Sequence, residues 1–190
     1  LRGRCRYCHS KIPVRGFFIE IFGGLSGVFC FYRFGFEYET ILMFVITMIL
    51  LAITMIDFDT MIIPDGLNIA MFLVCLVLMF VRQMSLVDSI IGMFCISLPM
   101  FLLNLVIPDS FGGGDIKLMF ASGIALGWKY SLLAAFIGVL IAGIYCIYLL
   151  LTKKVDKKGH IAFGPYLSIG IFIALCYGYE IVSWYLNLLM

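Results

Sequence analysis

Gly112-Gly113-Gly114-Asp115-Ile116-Lys117 interrupts long apolar runs, and its reading decides what kind of fold surrounds it. Three successive glycines make a poor helix or strand interior, because each loses more backbone entropy on folding than alanine would and leaves the backbone unshielded. They mark a place where the chain bends or something approaches it closely. The residue they deliver, Asp115, stands at the start of a long apolar run, and a second acidic group, Asp57, Asp59 and Asp65, sits at the edge of another run well upstream. Charge at the boundary of such sequence needs a reason.

Of the 190 residues, 64% are hydrophobic and only 13% are charged, and the mean hydropathy is +1.14. Charged residues gather in short clusters between apolar runs, the pattern of a helix bundle in lipid. The runs lack the period-two alternation of a transmembrane barrel. The expected fold is therefore all-α, a polytopic transmembrane bundle of about seven segments, at 17–36, 40–56, 67–81, 86–107, 116–128, 130–151 and 161–189. The fifth is short, so it either tilts, gains length from its glycine-rich entrance or is shielded by its neighbours.

The formal charge of +2 says less than its distribution, and no nucleic-acid partner follows from it. Arg2, Arg4, Arg6, Lys11 and Arg15 precede the first segment and Lys153, Lys154, Lys157 and Lys158 fill one later loop, whereas Glu37 and Glu39 occupy the first opposite loop. The positive-inside rule then puts the N-terminus in the cytoplasm. With alternating segments, the loops at 57–66, 108–115 and 152–160 share the cytoplasmic side, so Asp57 and Asp115 fall on one face of the membrane. Residues 1–16 form a polar cytoplasmic segment ahead of a membrane domain at 17–190. The chain opens at Leu1 on a Cys/Arg-rich patch without an apolar leader, so an upstream part is expected, and insertion relies on the spans themselves.

Cys5 and Cys8, with His9 beside them, can bring two thiolates to one metal, but a tetrahedral zinc site usually takes four protein ligands. A turn with reduced thiols fits this pair equally well. Any metal there is expected to be structural. Cys30, Cys75, Cys95, Cys146 and Cys176 lie inside apolar runs and read as small buried hydrophobes.

In Met55-Ile56-Asp57-Phe58-Asp59-Thr60-Met61-Ile62-Ile63-Pro64-Asp65, Pro64 blocks continuation of a helix. Asp65 reads as an N-cap, Asp59 as a solvated loop acid, and Asp109 beside Pro108 as a turn residue. The plain reading of Asp115 is also capping, with its charge at the positive end of a helix. Capping does not need three glycines, however, and Lys117 and a facing Asp57 favour chemistry. Two carboxylates sharing a site do not readily both ionise, so a pair can act as general base and general acid on one water.

The Gly-x-Gly-Asp at 112–115 with Ile116-Lys117-Leu118, the Asp57…Ile63-Pro64-Asp65 segment, Cys5-x-x-Cys8, and Phe163-Gly164-Pro165-Tyr166 at the last segment resemble, in order, the type IV prepilin peptidases. That resemblance implies a bacterial inner-membrane aspartyl protease that removes the leader from prepilins and pseudopilins at the cytoplasmic face. It implies Asp57 and Asp115 as the catalytic pair, with Gly112, Gly113, Gly114 and Lys117 as the active-site loop. It requires no cofactor for proteolysis, and many members methylate the new N-terminus with S-adenosylmethionine. The family usually carries two Cys-x-x-Cys pairs and a further N-terminal span, where this chain shows one pair. Pro64, Gly164 and Pro165 read as supports of the site, and Gly164-Pro165 equally as an ordinary helix entrance. Partners are then prepilin substrates and membrane lipid. The rival readings are an ion- or proton-coupled transporter using the same aspartates and a non-enzymatic assembly protein of a secretion system.

Overall fold

The computed structural model describes residues 14–108, 110–152 and 162–189, and every regular element among them is a helix. They are α1 (Val14–Phe34), α2 (Tyr38–Thr60), α3 (Asp65–Val81), α4 (Leu86–Val106), α5 (Gly113–Leu151) and α6 (Gly164–Leu189). Cys5, Cys8, Asp109 and the lysines at 153–158 lie outside the described residues. Five of the helices, all but the 17-residue α3, are long and apolar enough to cross a membrane.

The stretches expected at 116–128 and 130–151 are joined in one helical element, α5, so the expected segments, about seven, appear as six elements, one of them in two arms. Only one residue interrupts it: Gly127, with φ 67° and ψ 176°, a conformation open essentially to glycine alone. The interruption turns the chain back on itself. A straight helix would hold Asp115 and Cys146 about 46 Å apart at 1.5 Å per residue, yet both line the same cleft. The first arm starts at Gly113 rather than Ile116, so the glycine-rich entrance does lengthen the short segment.

Between helices in lipid, association relies on close packing rather than on expulsion of water, and small residues permit it. Gly92 of α4 lies against the carbonyl of Gly123 on the first arm of α5, and Gly170 of α6 lies against the carbonyl of Ala134 on the second. A β-carbon at either glycine would collide with backbone. Met43, Ile46 and Ile53 of α2, Met71 and Leu78 of α3, Leu118 and Met119 of α5, and Leu167 and Ile171 of α6 fill the interior. Phe136, Val139, Leu140 and Ile144 remain exposed on the second arm.

Chain breaks follow local chemistry. Met61 ends α2 in the left-handed conformation, φ 53°, with its N–H donating to the Asp57 carbonyl at 2.9 Å. Pro64 then precedes α3, where its fixed φ of −61° suits the N-cap position. At the far end of α2, Arg82 pairs with Glu39 at 2.6 Å and donates to the Leu175 carbonyl of α6. Arg33 donates to the adjacent Cys176 carbonyl and pairs with Glu180. Two arginines thus tie α1, α2, α3 and α6 together about 27 Å from Asp57, the rise of α2 between residues 39 and 57.

Candidate active site

Asp57 lies one turn before the end of α2 and Asp115 in the first turn of α5. Both are buried, at 4% and 7% exposed, although each borders a cleft of about 820 Å³. A buried carboxylate without partners is costly, so what each one touches is informative. Asp57 Oδ2 accepts a hydrogen bond from the Gly164 N–H at 3.0 Å. That amide belongs to the first turn of α6, where backbone donors have no partner within the helix. Pro165 follows it, fully buried and without an N–H to satisfy. Asp115 Oδ1 has no hydrogen-bond partner although it is buried.

Each carboxylate has a glycine pressed against it. A β-carbon at Gly164 would sit 2.8 Å from Asp57 Oδ2, and one at Gly112 would sit 2.9 Å from Asp115 Oδ2. The third close glycine, Gly114, would meet Ile63 Cβ at 2.7 Å, which brings the loop after α2 against the start of α5. Gly113 lines the cleft and has no close neighbour. The glycine run therefore serves two needs: close approach at Gly112 and Gly114, and bare backbone facing the cleft at Gly113.

Two asparagines that sequence reasoning did not single out brace this loop. Asn104, on the last turn of α4, donates from Nδ2 to the Phe111 carbonyl, while its Oδ1 accepts from the Phe111 N–H and the Ser110 hydroxyl, each at 2.9 Å. Asn68 of α3 is buried and donates from Nδ2 to the Gly114 carbonyl at 3.4 Å, with its Oδ1 unpartnered. Polar side chains inside apolar helices were the available signal, since they are seldom placed there without a partner. Phe111 and Phe163 meet at 6.0 Å between ring centres and connect the glycine loop to the entrance of α6.

The other sequence-derived residues fall as follows. Lys117 pairs with Asp65 at 2.6 Å, with both side chains more than half exposed, and does not line the cleft. Asp65 is the first helical residue of α3 and makes no capping hydrogen bond, so the N-cap expectation is corrected: Pro64 holds that position and the Asp65 carboxylate turns to Lys117. Asp59 is exposed on the last turn of α2 and bonded to Arg15 at 2.6 Å, rather than free in a loop. Arg15 also donates to the Met55 carbonyl. Of the cysteines read as buried, Cys30, Cys75 and Cys176 are, whereas Cys95 and Cys146 are partly exposed, Cys146 because it borders the cleft. Among the described residues, no group of three or more His, Cys, Asp or Glu could hold a metal.

Chemically, the cleft offers two carboxylates from different helices, a backbone donor at one of them, an unpaired oxygen on the other and a path to the outside. Such a pair can take a proton from a water and return it to a leaving group.

The chain matches the family described as "Type IV leader peptidase family" over residues 44–147, and the "Bacterial Peptidase A24 N-terminal domain" over residues 1–34. It is 31% identical to the Prepilin leader peptidase/N-methyltransferase of Aeromonas salmonicida (strain A449), over 100% of this chain and 67% of the relative. It is 32% identical to the protein of that name from Aeromonas hydrophila and 31% to that from Legionella pneumophila, each over 98% of this chain and 67% of the relative. No solved structure matches it. A polytopic helical chain with this cleft, matched in this way across its length, belongs to the type IV leader peptidase family and is a membrane protease.

Proposed function

We propose that the chain removes the leader from type IV prepilins or pseudopilins at the cytoplasmic face of the bacterial inner membrane, with Asp57 and Asp115 as the catalytic pair. The observation that carries this reading is the convergence of two buried carboxylates on one cleft, each in contact with a glycine that leaves no room for a side chain. The relatives' names supply the substrate class, and the concentration of lysine and arginine around the loops at that end supports the cytoplasmic face.

In the proposed mechanism a water lies between the carboxylates and the scissile carbonyl. The ionised carboxylate takes a proton as the water oxygen bonds to the carbonyl carbon, while the protonated one donates a hydrogen bond to the carbonyl oxygen. Collapse of the tetrahedral intermediate breaks the C–N bond, and the leaving amine takes a proton from the pair. The Gly164 N–H holds the Asp57 carboxylate in orientation throughout.

The test is incubation of the purified protein in detergent with a prepilin-like peptide, followed by mass measurement of both products. Cleavage at one bond, lost in Asp115→Asn, is the expected result; an intact peptide with protein that remains folded refutes it. Methylation belongs to the same proposal as a separable activity, supported by the relatives' names. Addition of S-adenosylmethionine should add one methyl mass to the apolar product alone.

A further inference from the structure

Near the start of α5, Lys117 and Phe120 border two grooves at once. The first, of about 370 Å³, lies along α3 and is lined by Ile69 and Phe72 together with Ala121. The second, of about 300 Å³, lies along α4 and is lined by Phe94, Leu98 and Phe101 together with Ile116. Phe120 stands between them: its ring stacks on Phe72 at 6.1 Å and meets Phe94 edge-on at 5.4 Å between centres. Ile69, Phe94, Leu98 and Phe101 are exposed, so both grooves open outward from the bundle. Asp65 to Phe72 on α3 and Phe101 to Phe94 on α4 each span about 10 Å at 1.5 Å per residue.

The charges sit at one end. Lys117 Nζ donates to Asp65 Oδ1 at 2.6 Å, with both side chains more than half exposed. Both stand where apolar helices begin, the depth of lipid headgroups. An ammonium carries three donors and a carboxylate two acceptor oxygens, so beyond this bond the lysine keeps two donors and the aspartate keeps Oδ2. Asn68, one turn along α3 from Asp65, lines the first groove and has an Oδ1 without a partner. We infer that the two grooves bind one diacyl phospholipid with a zwitterionic headgroup that bears N–H donors, phosphatidylethanolamine. Its phosphate lies on Lys117, its ammonium on Asp65, and one acyl chain in each groove on either side of Phe120. A headgroup of both signs matches a pair of both signs, whereas a purely anionic one gains Lys117 but is repelled by Asp65. Phosphocholine has the same charges and no N–H to give the carboxylate. Two grooves of similar size that meet at one charged end suit two chains joined to one headgroup. Neither Asp57, Asp115 nor their cleft takes part.

The test gives the full chain, purified in detergent and stripped of lipid, an equimolar mixture of phosphatidylethanolamine, phosphatidylcholine and phosphatidylglycerol with identical acyl chains. Bound lipid is read by native mass spectrometry. One phosphatidylethanolamine per chain should be retained at least roughly fivefold over either competitor, the scale of an exposed hydrogen bond to a charged group. The single-chain lyso form should be retained less by a similar factor. Asp65→Asn should lower phosphatidylethanolamine to the level of phosphatidylcholine and raise phosphatidylglycerol. Lys117→Met should lower phosphatidylethanolamine and phosphatidylcholine alike. Ile69→Trp and Leu98→Trp fill the first and second groove and should each weaken retention of the diacyl lipid by a similar factor, whereas Ile144→Trp, exposed on the second arm of α5, should not.

Equal retention of the three lipids, the behaviour of lipid that merely surrounds a bundle, or retention of none overturns the inference, and so does a preference for phosphatidylglycerol. A phosphatidylethanolamine preference that survives Asp65→Asn and both groove-filling variants puts the site elsewhere and overturns it too. All the substituted side chains are exposed, so the variants should fold. If one does not, stepwise N-methylation of the headgroup on the unaltered chain decides: retention should drop most when the last N–H is lost, and unchanged retention refutes the contact with Asp65.

Discussion

Gly164→Ala changes one methyl group and tests whether the entrance of α6 positions a catalytic carboxylate. The new β-carbon would lie 2.8 Å from Asp57 Oδ2 and 3.1 Å from Ile63 Cδ1, where ordinary contact begins at 3.4 Å. Relief needs a retreat of about 0.6 Å, and Ile63 closes one direction of escape. Either the carboxylate turns away or the helix entrance withdraws, and both stretch the 3.0 Å bond from the Gly164 N–H. A hydrogen bond to a charged group is worth about 1.5–3 kcal/mol, and misplacement near 1 Å costs on the order of 10²-fold in rate. The expected result is a loss of roughly ten- to a hundredfold in kcat, by either measure. Alanine is a better helix former than glycine, so the melting temperature in detergent should hold. Single-turnover cleavage of a prepilin peptide, followed by mass spectrometry, reads the effect. Gly143→Ala on α5 is the matched control, because nothing lies within 4 Å of the added carbon. Gly164→Ala cleaving within twofold of the unaltered protein, while Asp57→Asn is inactive, would refute the positioning argument.

Asp57→Asn and Asp115→Asn should each reduce cleavage by at least the ~10²–10⁴-fold assigned to general acid–base catalysis, and the double variant should be hardly worse, as for groups that act as a unit. Asp59→Asn and Asp65→Asn should retain most activity in the same assay, since their partners are the exposed Arg15 and Lys117. Lys117→Met should shift chemical or thermal unfolding by no more than about 1 kcal/mol, the range of exposed ion pairs. Asn104→Ala deprives the Phe111 N–H and carbonyl and the Ser110 hydroxyl of their partner; kcat should fall, and limited proteolysis should cut faster at 108–113 than in the unaltered chain.

The architecture was legible because apolar runs and turn residues are local facts. Pro64, the glycines at 112–114 and Gly164-Pro165 marked three helix entrances, and Ile63, just before Pro64, packs against both Gly114 and Gly164. The cleft's acids were legible as well, since Asp57 and Asp115 each stand at a run's edge. Side-chain partners were not. Asp65 and Lys117 pair across 52 residues, and nothing in either local sequence records it, so Asp65 read as a cap and Lys117 as part of the active-site loop. Asn68 and Asn104 stand among apolar residues, where a buried amide needs a partner, but the partners are backbone atoms of a distant loop.

The direction of the chain after Gly127 has the largest consequence for function. The break between the segments expected at 116–128 and 130–151 was legible in the hydropathy, but not that a single glycine with positive φ makes the reversal without a polar loop. Because of that reversal, one helical element supplies both Asp115 at its start and the face bearing Val139, Ala142 and Cys146 on its return. A chain that continued straight would carry that face about 36 Å or more away from the aspartate, at 1.5 Å per residue over 24 residues. The carboxylate and the cleft-lining face of the returning arm are therefore fixed to each other by a single turn. Its geometry is held by Gly92 against Gly123 one turn before the reversal, and by Asp88, whose Oδ2 lies 2.9 Å from where a β-carbon on Gly127 would stand. Any side chain at Gly127 would be strained by its φ and blocked by Asp88, so the reversal, and with it the cleft, depends on glycine at that position.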